Sequence, residues 1–594
     1  MTAHLLLVTL GPVQDFIAQA RRTRDLWYGS HVLSELGRAA ARALVEGNAE
    51  LVFPALKKGD GELEPCLGAL RPDEKLPLTV ANKLLAEVPS GIDPEKLARA
   101  VREAVLQYWR EDVAAPVKAK CAGLLPDAID AVWTEQIDTV VEFAASWLPL
   151  GEYAETRRQI DSAIASRKML RDFGPWTHGR GSVPKSSLDG ARETILVPPR
   201  ARQTTLVRKY RIADGEQLDA VGLVKRAGGE PAQFVPVVNV ALASWVELVN
   251  RVAALELEKL RDACGAAGVS RVVRADLPCA ATFPFDASVL IPSRWRSVFE
   301  EQGLEGDAES WGRVHVQPIL DKVSDSYPYV ACLVADGDHM GRAIDRFGSA
   351  ADHRIFSEAL AQFASEARTV VEQRHRGILV YAGGDDVLAF LPLPEALAGA
   401  EDLRLRFSGV MASACSSSIE MQRPTLSVGL GVGHLMESMG DLLALGRAAE
   451  REAKRDRNAL AVLVDKRSGG RSSWRGQWSE DPVRGLHDSA ALLQDRLPAR
   501  KVYEIASTLA RLPEPGDASG DGWARLLALE VRRSLARTES GGLDLQSAGL
   551  ALDDGAGYPA LHARVRAWVA RLLIARTFAQ AIPRERQREK EEAA

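Results

Sequence analysis

The apolar run Tyr329–Ala335 stops at Asp336-Gly337-Asp338, and a second acidic turn, Gly383-Gly384-Asp385-Asp386, lies between two further apolar runs. Short continuous runs of this kind read as strands buried on both faces. A helical pattern follows the first, from about 341 to 375. Gly377–Ala382 and Val387–Leu391 then flank the Gly-Gly-Asp-Asp turn as the arms of a hairpin. A helical stretch at about 395–419, a strand at 425–432, a helix at about 438–457 and a strand at 459–464 complete the region. The order β-α-β-β-α-β, with an added α-β, is the ferredoxin-like split βαβ arrangement.

In that arrangement the first and third strands are central and adjacent. Asp336 ends one, and Asp385 and Asp386 precede the other, so three carboxylates meet at one sheet edge. Like charges at close range repel, and the cluster calls for a divalent cation. Hard oxygen ligands favour magnesium or manganese. Two such ions roughly 3.5–4 Å apart activate a ribose hydroxyl and stabilise a leaving pyrophosphate. Asp338 is a further candidate ligand, or a cap for the next helix. Gly337, His339, Met340 and Gly341 turn the chain from strand to helix, where free N–H groups suit a triphosphate. Gly383 and Gly384 let a substrate approach the hairpin closely. Lys454, on the later helix, is placed to neutralise phosphate charge.

The 594 residues suffice for about four domains. Apolar residues make up 46% and charged ones 26%, which excludes collagen-like, coiled-coil and wholly disordered chains. Against 80 Asp+Glu stand 75 Lys+Arg, a net charge of −5, so any nucleic-acid contact needs a local basic patch. No apolar run approaches the ~18 residues of a membrane span. Leu5-Leu6-Leu7-Val8 is too short for a signal peptide, and a cytoplasmic location without membrane contact is expected. Cysteines 66, 121, 264, 279, 332 and 415 form no C-x-x-C and read as reduced thiols.

Elsewhere, His4–Leu10 reads as a strand broken by Gly11-Pro12, followed by a helix from Val13 to about Leu44. Residues 54–75 read as a loop, 94–170 as helical with Trp109, Trp133 and Trp147 as anchors, and 171–200 as irregular. Residues 215–320 look mostly helical with a break near 278–293. Beyond 475 the chain reads as helical, ending in the charged tail Arg584–Glu592. No short-period repeat is present.

The segments Gly11-Pro12-Val13-Gln14-Asp15-Phe16-Ile17 and Ala20–Ser30, together with Tyr381–Asp386, resemble the signatures of one family: the large subunit of type III-B CRISPR effector (Cmr) complexes, also called the CRISPR polymerase. The resemblance covers most of the chain. It implies an α+β, multidomain protein with two ferredoxin-like palm (polymerase/cyclase) domains, a middle domain and a C-terminal helical domain. Fitted to this sequence, the divisions are 1–175 for a degenerate first palm with helical insertions, 176–322 for the middle domain, 323–475 for the second palm and 476–594 for the helical domain. The resemblance further implies that the second palm converts ATP into cyclic oligoadenylate second messengers when the guide crRNA of the complex pairs with target RNA. Other Cmr subunits, guide crRNA, target RNA and ATP are the implied partners. By matching position, Asp336, Asp385 and Asp386 are the implied metal ligands, with Lys454 near the phosphates. The first palm is implied to hold a second ATP without a carboxylate pair, and Gln14, Arg21 and Ser30 are candidate nucleotide or subunit contacts there.

Two departures stand out. Many family members begin with an HD nuclease domain, but here the palm signature starts at residue 11, so none is expected. His487-Asp488 reads as a surface dipeptide rather than an HD metal site, so DNA cleavage is not expected. Family members often bind zinc through Lys-Cys-Ser-Leu-Cys-Gly. The matching stretch here is Lys185-Ser186-Ser187-Leu188-Asp189-Gly190, with a later partner at Asp219-Ala220-Val221-Gly222. With the thiolates gone, structural zinc is not expected, and hydrogen bonds and packing must hold the region. Two basic clusters, Arg21/Arg22/Arg24 and Arg200/Arg202/Arg208/Lys209/Arg211, are either solvated faces or phosphate-tracking patches. A diguanylate cyclase or template-dependent polymerase on the same palm, and a non-catalytic scaffold subunit, are the competing functions. The opening signature argues against the cyclase, the lack of an extended basic cleft against the polymerase, and the retained carboxylates against the scaffold.

Overall fold

Two sheets organise the chain. The structure, a computed structural model, describes residues 2–583 apart from 67–79, 171–180, 230–233, 273–276, 415–422, 468, 517–520, 537–544, 546–547, 553–554 and 556. β1 (His4–Gly11), β2 (Glu50–Phe53), β3 (Lys83–Val88) and β4 (Glu142–Pro149) form an antiparallel sheet in the order β2-β3-β1-β4. β5 (Tyr329–Asp338), β6 (Ile378–Ala382), β7 (Val387–Pro392), β8 (Thr425–His434), β9 (Ala459–Val464) and β10 (Ser472–Gln477) form the second, in the order β10-β9-β8-β5-β7-β6. Within each unit the first and third strands are neighbours at the centre, which is the split βαβ topology twice over. β8 and β9 pair in parallel, and the helix Met439–Lys454 supplies the crossover between them.

Alternation along β1 shows why its apolar run is unbroken. Leu6, Val8 and Leu10 enter one core beneath the helix Thr23–Glu46, while Leu5 and Leu7 enter the other with Phe356 and Phe363 of the helix Ala350–Arg368. The first sheet is therefore buried on both faces, one of them against the second unit. β5 does the same with Val330 and Cys332 on one side and Ala331, Leu333 and Ala335 on the other. Each such leucine, valine or phenylalanine side chain is worth about 1.5–3 kcal/mol in apolar burial. The segment between the sheets is largely helical, with a core of its own around Trp245, Phe283 and Trp295. After β10 come the helices Pro482–Asp495, Ala499–Arg511, Asp521–Ala536 and Tyr558–Ala581. The last returns to the second sheet through Ile574, Ala575 and Phe578.

Several sequence readings are corrected. The helix expected from Val13 is two, Gln14–Ala18 and Thr23–Glu46, because Asp25 turns its carboxylate back to the N–H groups of Arg21 and Arg22, both at 3.1 Å, and starts the second afresh. The stretch 94–170, read as helical throughout, contains β4, where Trp147 and its neighbours pair with β1. β2, β3 and β10 were not foreseen. The helical pattern at 341–375 is interrupted, with Met340–Ile344 and Ala350–Arg368 separated by a loop that Ser349 closes as an N-cap, its hydroxyl accepting from the Asp352 N–H at 3.2 Å. The expected tail at 584–592 lies outside the described residues, as does Cys415. The other five cysteines are free thiols. No single described helix is long and apolar enough to cross a membrane.

Candidate active site

Register places the acidic residues. β5 pairs with β7 as far as Ala335–Val387, so Asp336 lies one residue beyond the ladder, beside the hairpin turn that carries Asp385 and Asp386. One carboxylate oxygen from each of the three lies within 4.8 Å of the others, and all three residues are half-buried. Burial, followed by the charge of Asp336, raises the pKa of the Asp385 carboxyl. Burial, a hydrogen bond with Asp336 and the charge of Asp385 raise that of Asp386 further. Carboxyls that hold protons this firmly are ones a hard divalent cation relieves by replacing those protons, so the three oxygens fit such an ion. Among the described residues they form the one acidic group close enough to hold a metal.

Glycine makes the approach possible. A Cβ at Gly337 would sit 2.8 Å from Asp385 Cβ, and one at Gly383 would strike the Tyr381 hydroxyl. Gly384 adopts φ +95°, a left-handed conformation that other residues rarely take, and lies against Leu360, whose Cβ and Cδ1 would be 3.9 Å from a Cβ placed there. Gly383 is thus required by its own fold, and Gly384 by its positive φ.

Asp338, expected among the ligands, is placed elsewhere. Its carboxylate is almost wholly buried and accepts from Thr425 Oγ1 at 2.8 Å, Ser427 Oγ at 2.9 Å and the Asn458 N–H at 2.8 Å. Thr425 is its direct cross-strand partner on β8. Asp338 is therefore a tie between β5, β8 and the turn before β9, and it caps nothing in the helix that follows. Lys454 is brought to the acidic edge, but it faces the strand. Its Nζ donates to the carbonyls of Asp336 at 2.9 Å and Gly337 at 2.8 Å, and it pairs with the carboxylates of Asp336 and of Asp338, the latter at 3.0 Å. It acts as a resident cation that offsets part of the cluster's charge. Glu450, one turn earlier, has its pKa raised by burial and by Asp336.

His339 takes φ 62°, the kink that ends β5, and its ring stands 3.3 Å from Arg457 Nη1. Burial and then Arg457 lower its pKa. Met340 and Gly341 begin a helix of five residues, with Gly341 exposed. At the first sheet, Gln14 and Arg21 are exposed, whereas Ser30 is buried at 4% exposure in the helix interior. Gln14 lends its carbonyl to Arg447 Nη2 of the second unit at 3.2 Å. The stretches that replace the zinc motif meet as expected: Ser186 Oγ donates to Asp219 Oδ1 at 3.1 Å, the Gln217 N–H to Ser187 Oγ at 2.9 Å, and the Gly222 N–H to Asp219 Oδ1 at 2.9 Å. His487 and Asp488 are both exposed. Sequence reasoning missed Thr425, Ser427 and Asn458, whose connection to Asp338 depends on strand register.

Residues 5–114 match the family model described as CRISPR-associated protein Cmr2, N-terminal, and residues 329–461 match Cas10/Cmr2, second palm domain. A curated relative, the CRISPR system Cmr subunit Cmr2 of Pyrococcus furiosus, is 25% identical over 556 residues, which cover 78% of this chain and 62% of the relative. The chain thus spans less than two thirds of that relative's length. Among solved structures, a chain of the type III-B Cmr-beta complex in its apo state is similar, with a TM-score of 0.60 at 13% identity, over 97% of this chain and 82% of that one. A chain of type III-B Cmr-beta bound to cognate target RNA gives 0.57 at 13% identity, over 90% and 79%. At this identity the likeness is one of fold.

Proposed function

The chain is a Cmr2-family protein of the type III-B CRISPR class, and on that premise we propose that it synthesises cyclic oligoadenylates from ATP by nucleotidyl transfer at Asp336, Asp385 and Asp386. The observation that carries this reading is the convergence of three carboxylate oxygens within 4.8 Å at the end of a central palm strand. Lys454 offsets part of their charge, and the remaining mutual repulsion costs stability unless a further cation is bound. A magnesium or manganese ion held there would lower the pKa of a ribose hydroxyl and offset charge on the departing pyrophosphate. Asp336, Asp385 and Asp386 would hold it, and Lys454 pairs with Asp336 and limits its movement. The kink at His339 sets the direction of the chain past the acidic edge. The preference for adenine follows from the family premise. So do the partners: other Cmr subunits, guide crRNA and target RNA in one ribonucleoprotein.

The proposed division of the chain is at residues 175, 322 and 475, with the active palm in the third part. The test is mass spectrometry of products from the chain assembled with its partners, guide and matching RNA, supplied with ATP and magnesium or manganese. Cyclic oligoadenylates are expected only with target RNA, and Asp385→Ala/Asp386→Ala is expected to abolish them while assembly persists. Product formation unchanged in that variant would overturn the site. No turnover in a wild-type complex that still binds target RNA would move the chain to a scaffold role.

A further inference from the structure

The two basic clusters that are far apart in sequence line one cavity. Arg21, Arg22 and Arg24 reach it from the start of the helix Thr23–Glu46, and Arg208, Lys209 and Arg211 from the region between the sheets. Its volume is about 550 Å³. That is the size of sites that take a small ligand of roughly nucleotide dimensions. Val238, Leu435 and Leu442 give it an apolar wall. Two acids line it, and each faces a cation: Asp286 pairs with Arg211 at 2.7 Å, and Glu437 stands 3.6 Å from Arg467. The remaining positive charge has no counterpart among the lining residues.

Arg24 is the decisive group. It is 6% exposed, lies 5.4 Å from the ring centre of Phe234 and 5.8 Å from that of Tyr210, and its Nε and Nη2 have no hydrogen-bond partner among the described residues. Burial lowers its pKa to about 9. A buried guanidinium with idle donors is costly unless something accepts from it. A fork of N–H groups matches phosphate oxygens better than any other common anion except a carboxylate. Several cations around one small space favour the more highly charged of the two.

The cavity is remote from the acidic edge. Leu435 follows the end of β8, where its N–H bonds the Pro328 carbonyl at 2.9 Å, and Asp336 is at the other end of β5. At ~3.3 Å per residue, the strand separates them by roughly 25 Å.

We propose that this arginine-lined cavity is a second anion site that binds the phosphate groups of a nucleotide or of an RNA strand end, independently of the carboxylate site. The two sources share one chemistry, and the test separates them. The full chain is titrated calorimetrically with pyrophosphate, with ATP in EDTA, and with a 5′-phosphorylated RNA dinucleotide. At least one probe is expected to bind, with affinity reduced tenfold or more by Arg24→Gln and severalfold by Arg208→Ala/Lys209→Ala. The second variant changes only exposed side chains, so its loss of binding cannot come from misfolding. Asp385→Asn/Asp386→Asn is expected to leave binding unchanged, which separates this site from the palm. Binding of the dinucleotide alone identifies a strand end, and binding of pyrophosphate or ATP identifies the phosphate of a free nucleotide. Absence of binding by all three probes would overturn the proposal, as would affinities indifferent to both cavity variants. Tighter binding of an acidic peptide would equally overturn it.

Discussion

Asp336 and Asp338 are two residues apart on the same strand and have different surroundings. Asp336 is open on one side and shares its neighbourhood with two other acids, whereas Asp338 is enclosed by two hydroxyls, an N–H and an ammonium. Asp338→Ala is therefore expected to lower stability by about 3 kcal/mol, since it strands the Thr425 and Ser427 hydroxyls and the Asn458 N–H. Urea unfolding measures that loss. Asp385→Asn, by contrast, removes a repulsive charge and is expected to leave unfolding near wild type while abolishing manganese binding in a titration followed by electron paramagnetic resonance. An Asp338 variant of normal stability that fails to bind manganese would reverse the two assignments. The three clustered acids were legible in the sequence because an acid directly after a buried apolar run has no packing reason to be there. The role of Asp338 was not, because Thr425 and Ser427 reach it through antiparallel register, which no local pattern encodes. The convergence of Arg24 with Arg208 was hidden for the same reason: proximity across domains leaves no periodicity.

At the scale of elements, β8 and the helix Met439–Lys454 make the closest backbone approach near the site. A Cβ on Gly429 would meet the Glu450 amide nitrogen at 2.1 Å, and one on Gly431 the Gly446 nitrogen at 2.3 Å. Backbone cannot yield as a flexible side chain does, so Gly429→Ala is expected to cost about 3 kcal/mol and to push Lys454 off the acidic edge. The matched control is Gly409, exposed in the helix Ala396–Ala414 with nothing near its missing Cβ. Gly409→Ala is expected to stabilise by about 0.5–1 kcal/mol through reduced freedom of the unfolded chain. Thermal melts of the two variants test the contrast, and equal destabilisation would contradict it. The strands of the second unit were readable because β5, β7 and β9 carry unbroken apolar runs and β8 alternates Leu and Val with Ser and Gly. β4 was hidden because its Phe-Ala-Ala-Ser-Trp-Leu core is rich in residues that also favour helices, and only its pairing with β1 settles the matter. β2 has four residues and β10 is a polar edge strand, too short or too hydrophilic to stand out.

Across the whole molecule, two polar junctions fix how the parts sit together. Arg226 is fully buried and bonds Asp25 of the first unit at 2.6 and 2.8 Å and Glu216 at 3.0 and 2.8 Å. Its guanidinium pKa is raised above the ordinary value by these acids despite its burial. Removing one partner of such a set, as in Asp25→Asn, is expected to cost about 3–5 kcal/mol. The junction between the two units depends instead on an uncharged imidazole. His353, 5% exposed, lies against Phe53 of β2, and its Nδ1 is 2.8 Å from the hydroxyl of Tyr153. Burial first, and then the charges of Arg157, Lys83 and Arg354 against that of Asp161, lower its pKa from 6.5 to about 4. The folded protein thus resists a proton that the unfolded chain accepts. Its stability from this source is complete above pH 6.5 and is lost as pH falls toward 4, a change of about 3 kcal/mol. The expected result is a urea midpoint that declines across that window in the wild type and declines less in His353→Gln, which cannot take up the proton. The stability difference between wild type and variant should therefore shift by about 3 kcal/mol against the wild type as pH falls from 6.5 to 4. Parallel profiles across the whole window would assign the acid sensitivity to other groups and leave the imidazole a packing role alone.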